Sequence, residues 1–166
     1  MSKSKIVAAN DPSNIQKAVE ILIAGGIVAF PTETVYGLGA DALNPLAVAR
    51  VFEAKSRPQF DPLIVHVASM AQAISLWKET PEAVLRLMKE YWPGPLTLVL
   101  PKNDKIPDLV TAGLPTVAVR MPKNEVALKL IQLLGRPVAA PSANLFGYTS
   151  ATTALAVSED LEGKVD

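Results

Sequence analysis

Apolar residues recur at helical spacing between Ser13 and Ala24, where Ile15, Val19, Leu22 and Ile23 share one face and Gly25-Gly26 follow the last turn. Ser13 is read as the cap of this helix. Ile27 to Phe30 is short and wholly apolar, and is predicted as a strand. Asn44-Pro45 has the form of an N-cap and first helical residue, and the helix it opens turns Val48, Val51 and Phe52 inward before Pro58 stops it. Thr80-Pro81 repeats that signal ahead of a helix with Val84, Leu87 and Met88 on its core side. Asn124 to Leu134 makes another, closed by Gly135. Leu63 to Val67, Leu96 to Leu100, Thr116 to Arg120 and Pro137 to Ala140 are runs of strand length, rich in Val, Leu and Ile. Strands alternating with helices make the chain α/β. Some gaps between strands are too short for a crossover helix, so a twisted, mixed sheet is expected rather than an all-parallel one. No repeat, low-complexity tract or linker interrupts the 166 residues, a length that suits one domain.

Charge narrows the partners. Lys plus Arg and Asp plus Glu each number 16, so no global field draws in nucleic acid or an anionic membrane. Any nucleic-acid contact has to be local. The absence of Cys excludes disulfides, thiolate zinc sites and cysteine nucleophiles, and a lone histidine, His66, excludes a histidine-rich metal centre. Met1 to Asn10 holds no apolar run of signal-peptide length, and the run Ile21 to Phe30 is broken by Gly25-Gly26. A cytoplasmic protein with no membrane association is the expectation.

No Walker A loop occurs. Gly37-Leu38-Gly39-Ala40-Asp41-Ala42 fits the loose dinucleotide pattern, but the helix signal waits until Asn44-Pro45, and chain-reversing turns at Gly37 and Gly39 are the preferred reading. Thr32, Glu33, Thr34 and Tyr36 follow directly on a strand, and strand ends in α/β sheets are where ligands bind. The two threonines could equally satisfy backbone groups in a turn. Pro58 holds Arg57 extended, which would point Lys55 and Arg57 the same way and let them grip one polyphosphate. Lys55 alternatively offsets the dipole of its helix end. Ser142 and Asn144 lie just beyond another strand, and are also ordinary turn residues. His66 lies in an apolar strand, where a structural buried histidine is the commoner case. Arg120 ends a strand as either a carboxylate clamp or a surface charge.

Taken in order, Pro31-Thr32-Glu33-Thr34-Val35-Tyr36-Gly37-Leu38, Lys55-Ser56-Arg57-Pro58, Pro62-Leu63-Ile64-Val65-His66, Trp92-Pro93-Gly94-Pro95-Leu96-Thr97, Val119-Arg120 and Pro141-Ser142-Ala143-Asn144 resemble the YrdC-like threonylcarbamoyl-AMP synthase family. The match runs through nearly the whole chain, and its specificity lies in the set rather than in any one motif. The resemblance implies a twisted α/β fold with a concave pocket. It assigns Lys55, Arg57, Ser142 and Asn144 to the nucleotide phosphates, with Lys55 and Arg57 as catalytic charge stabilisers. Ser150 also falls on the nucleotide side, although Ser150-Ala151-Thr152 stands where relatives commonly have Ser-Pro-Thr. Thr32, His66, Arg120 and Ser142 fall on the threonine pocket. The implied reaction makes L-threonylcarbamoyl-AMP and pyrophosphate from L-threonine, bicarbonate and ATP, with Mg²⁺ carried by the ATP phosphates. Its product serves modification of the tRNA adenosine next to the anticodon, by contact with tRNA or with a downstream transferase. Relatives usually continue past the position of Asp166 into a strand with Ser-Thr and an arginine, and larger members add a second domain. The domain of residues 1–166 is therefore expected to be incomplete at its C-terminal end. A non-catalytic RNA-binding module and a relative that handles carbamoyl-adenylate are the rival readings.

Overall fold

Asp11, not Ser13, caps the first helix. Its extended backbone lets the carboxylate accept from Ser13 N at 2.9 Å, and Pro12 takes the first helical position of α1 (Pro12–Ile23), where no N–H is needed. This computed structural model describes residues 5–166, so Met1–Ser4, the start of the amino-terminal stretch read above, lie outside the described residues. The chain continues through β1 (Val28–Phe30), β2 (Gly37–Asp41), α2 (Pro45–Lys55), β3 (Ile64–His66), α3 (Met70–Ile74) and α4 (Glu82–Tyr91). It ends with β4 (Thr97–Pro101), α5 (Asp108–Thr111), β5 (Thr116–Arg120), α6 (Glu125–Leu134), β6 (Val138–Ala139) and α7 (Ala154–Asp160).

Asn44 and Asn124 cap α2 and α6 as their sequence signals imply, each accepting from the two amides that follow the first helical residue. Thr80 does not cap α4. Pro81 takes the cap position without a side-chain bond, and the Thr80 hydroxyl is buried with no partner among the described residues. On α4, Met88 is fully buried while Leu87 is 39% exposed, and Leu85 joins Val84 against the core in its place. A helix this short buries only a narrow stripe, and the stripe runs one residue aside of the expected one.

The six strands lie in the order β1-β2-β6-β3-β5-β4. Only β3 and β5 run parallel, so the sheet is mixed as the short connections require. Strand alternation then divides two cores. Leu38, Ala40, Val65, Val119 and Ala139 face α2 and the Trp77–Trp92 stack, while Phe30, Val138 and Ala140 face α1 and α6. Gly37 and Gly39 are strand residues, not chain-reversing turns. A Cβ on Gly39 would come within 2.6 Å of both Phe30 Cε1 and Val138 Cγ1, so the glycine lets the Phe30 ring lie flat on the sheet. None of the described helices is long and apolar enough to cross a membrane.

Gly39→Ala should therefore destabilise the fold by about 1–3 kcal/mol, the usual cost of overpacking. Urea denaturation measures it. Unchanged stability would mean that Phe30 does not pack across β2 as described.

Candidate functional site

Parallel pairing of β3 with β5 sets His66 directly beside Arg120, on the sheet face that carries Phe30. The Phe30 ring meets the imidazole edge-on at 6.2 Å between centroids. His66 is almost fully buried and its Nδ1 has no partner among the described residues. Burial, and then the neighbouring Arg120 charge, push its pKa down to about 4. At neutral pH it is an uncharged imidazole, one nitrogen donating and the other accepting.

The segment after β1 folds over this face. Thr32 Oγ1 donates to Val35 O at 2.6 Å and accepts from Thr34 N at 3.2 Å, so it closes the turn that carries it. Arg120 Nη2 donates to Glu33 Oε1 and, at 3.3 Å, to Thr34 Oγ1. The other carboxylate oxygen of Glu33 accepts from Lys123 N at 3.1 Å. Burial opposes ionisation of Glu33, yet the Arg120 guanidinium and the Lys123 amide outweigh it and hold the carboxyl below its ordinary pKa. Arg120 is thus not a surface charge: it is 9% exposed and paired, with Nε left unpartnered among the described residues. Sequence reasoning placed Glu33 among the polar groups at a ligand-binding strand end but gave it no partner or individual role. Its signal was a lone acid between two threonines at a strand end.

The second cluster forms where α2 meets the chain beyond β6. Lys55 Nζ donates to Ser142 O and Asn144 O, and the residue is 1% exposed. Burial, with the nearby Arg57 charge, pushes its pKa down to about 8. The extended backbone expected between Lys55 and Arg57 is not formed, because Ser56 between them adopts φ 52, a left-handed turn. Arg57 turns to the Asp61 carbonyl at 3.3 Å, the Pro62 carbonyl at 3.2 Å and the Asp61 carboxylate at 2.8 Å, with its guanidinium 5.8 Å from the Phe146 ring centre. Lys55 caps carbonyls of a loop, not those of its own helix end. Asn144, also buried, donates from Nδ2 to Leu145 O and Tyr148 O, while its Oδ1 has no partner among the described residues.

Tyr36 joins the two clusters. Its N–H donates to Ala151 O at 2.9 Å, next to Ser150, and its carbonyl accepts from Ala143 N at 2.8 Å. Gly37 bridges Ser142 in antiparallel fashion. The predicted residues are therefore gathered in two groups, Thr32 with His66 and Arg120, and Lys55 with Ser142 and Asn144. Arg57 flanks the second group, and the segment Pro31–Tyr36 touches both. Among the described residues no group of three or more His, Cys, Asp or Glu side chains could hold a metal ion. An apolar cavity of about 290 Å³ lies between α1, β1 and α7 and meets the site at Phe30, Pro31 and Tyr36. Its other walls, such as Ile15, Ile21, Val28 and Val157, are apolar, and His66, Arg120, Lys55 and Asn144 do not line it.

The Sua5/YciO/YrdC family model, described as telomere recombination, matches residues 20–166. The chain belongs to that family. A threonylcarbamoyl-AMP synthase of Pyrococcus abyssi is 57% identical over 92% of this chain and 45% of its own length. Another, from Bacillus subtilis, is 52% identical over 96% of this chain and 46% of its own length. The crystal structure of P. abyssi Sua5 complexed with L-threonine superposes with a TM-score of 0.92 at 54% identity, over 98% of this chain and 47% of that one. The chain thus spans about half the length of these relatives.

In this Sua5/YciO/YrdC chain the buried Lys55 links stability to pH. Its folded pKa, about 8, lies below the ordinary lysine value of 10.5, so between those values the unfolded chain binds more protons and stability rises with pH. Relative to Lys55→Met, which removes the titration, the parent should gain roughly 1–3 kcal/mol across that window. Denaturation at stepped pH measures the difference, and a flat difference would contradict a depressed Lys55.

Proposed function

We propose that this chain carries the site that makes L-threonylcarbamoyl-AMP and pyrophosphate from L-threonine, bicarbonate and ATP, for modification of the tRNA adenosine next to the anticodon. The observation that carries the proposal is chemical. Three of the four buried side-chain polar atoms without a partner among the described residues, His66 Nδ1, Arg120 Nε and Asn144 Oδ1, belong to residues of these two clusters. Buried polar atoms are normally paired, and a polar ligand between the clusters would pair them. The relatives named threonylcarbamoyl-AMP synthase and the Sua5 complex with L-threonine support the same reading.

In this proposal the threonine amine and bicarbonate give a carbamate and water. A carbamate oxygen then attacks the α-phosphorus of ATP, the new P–O bond forming as the bond to the bridging oxygen breaks and pyrophosphate leaves. No protein nucleophile is needed, which suits a chain without cysteine. Catalysis rests on positioning and on charge. Arg57, only partly exposed at the pocket rim, stabilises charge growing on the phosphates, and the Lys55 ammonium adds to that field while fixing the Ser142–Asn144 loop. The Ser142 hydroxyl, Asn144 Oδ1 and Ser150 orient the adenylate. Arg120 takes the threonine carboxylate through its free edge, and neutral His66, with Thr32 and Ser142, reads the threonine hydroxyl. Mg²⁺ enters only as the counterion of the ATP phosphates. The end use on tRNA, directly or through a transferase that takes the product, makes the setting cytoplasmic.

Pyrophosphate should appear only when threonine and bicarbonate are both present, and valine should be poorer by on the order of 10⁴, because a site built to hydrogen-bond a hydroxyl rejects its methyl isostere. Equal release with valine would sink the threonine assignment. Turnover of carbamoyl phosphate would favour a carbamoyl-adenylate enzyme, and salt-sensitive RNA binding without ATP turnover would favour the RNA-binding alternative.

The two cationic positions should also separate kinetically. Arg57→Ala is expected to lower kcat by about 10²–10³, as for loss of a donor aimed at developing charge, whereas Arg120→Ala should chiefly raise KM for threonine. Identical effects in steady-state assays would remove the division of roles.

A further inference from the structure

We infer that Glu33 is a positioning residue, a clasp that holds the Thr32–Val35 turn closed over the His66–Arg120 face and so sets the threonine end of the site. The inference rests on the proposed function for what the site binds, but the clasp itself is geometric. Glu33 spans from the loop after β1 to the end of β5, and both its oxygens are used there: Oε1 on the Arg120 guanidinium, Oε2 on the Lys123 amide. These contacts join residues 87 and 90 positions apart in the chain. No other side chain of the turn reaches so far, except Thr34, whose hydroxyl takes a longer 3.3 Å bond from the same Arg120 nitrogen.

Within the turn, the Thr32 hydroxyl donates to Val35 O, accepts from Thr34 N and lies 3.1 Å from the Thr34 hydroxyl, contacts that close the turn on itself but do not attach it to the sheet. Attachment falls to Glu33, with the longer Thr34 bond to Arg120 beside it. The ion pair is half-shielded, with side-chain exposure of 10% at Arg120 and 20% at Glu33, and its bond is charge-assisted, while the Glu33 bond to Lys123 lies at the surface. One guanidinium nitrogen is committed to Glu33 while Nε stays unpartnered among the described residues, so the pair limits how the guanidinium can turn. Neutralising Arg120 by Glu33 also limits the positive charge beside the buried, neutral imidazole of His66. A carboxylate at position 33 thus orders three groups of the threonine pocket without touching the substrate itself.

The test compares the full chain with Glu33→Gln, which keeps the size but loses the charge, and with Glu33→Asp, which keeps the charge but shortens the reach. Two readouts are used: ligand-free amide hydrogen exchange, and L-threonine affinity by calorimetry. Exchange at residues 32–36 should rise at least about tenfold in Glu33→Gln with the β3 and β5 core amides unchanged, and threonine should bind about 10- to 100-fold more weakly, the scale of a lost charge-assisted bond. Glu33→Asp should restore part of both. Unchanged exchange in the turn overturns the clasp, and faster exchange with unaltered threonine affinity overturns its positioning role. If the parent chain binds no threonine, the proposed function fails, while the exchange comparison still decides whether Glu33 holds the turn.

Discussion

Two cations buried at the ends of regular elements organise this protein. Lys55, at the end of α2, and Arg120, at the end of β5, are each bonded by a loop 87 residues away in the chain. A buried charge left without partners costs several kcal/mol, so wherever these two side chains point, some other segment must bring oxygens to them. The Ser142–Asn144 loop does so with main-chain carbonyls, and the turn after β1 does so with Glu33. The two loops that line the site are thereby fixed by the same requirement. They also come to share Tyr36, whose backbone is bonded on both sides to the loop beyond β6.

The sheet supplies the floor on which this happens. Gly37 and Gly39 leave no side chains on the face where Phe30 lies, and Phe30 in turn presents its ring edge-on to His66. The glycines of β2 thus let an aromatic ring lie close to the backbone and beside His66. Burying His66 there keeps the imidazole neutral, a state in which it can take part in a hydrogen bond without adding a second charge beside Arg120.

Such a site asks little of the protein as a reagent. It contains no cysteine, and no cluster among the described residues suited to a metal. What it offers is buried donors and acceptors held by fixed partners, the arrangement through which electrostatic preorganisation acts. Rigidity of the supporting contacts then matters as much as the identity of the groups that face the ligand.

Much of the fold was written in local signals. Asn44-Pro45 and Asn124 define helix starts because their caps are made by residues within a turn of them, and Gly135 ends α6 for an equally local reason. The short connections between apolar runs required a mixed sheet. The candidate residues stood out only as a set of motifs, and the structure brings most of them into two clusters. What local signals could not carry was anything decided by packing at long range. Gly37 and Gly39 look like turn residues until Phe30 and Val138 are placed against them. Short α3, α5 and α7 lack enough periodicity to stand out from loop. The link between Lys55 and Arg57 is left-handed at Ser56 rather than extended, and the pairing of Glu33 with Arg120 joins distant positions that no spacing rule connects. Sequence alone determined the elements and the kinds of group available, since those depend on neighbours in the chain; the tertiary structure decided which groups meet and which charges are buried, since those depend on neighbours in space.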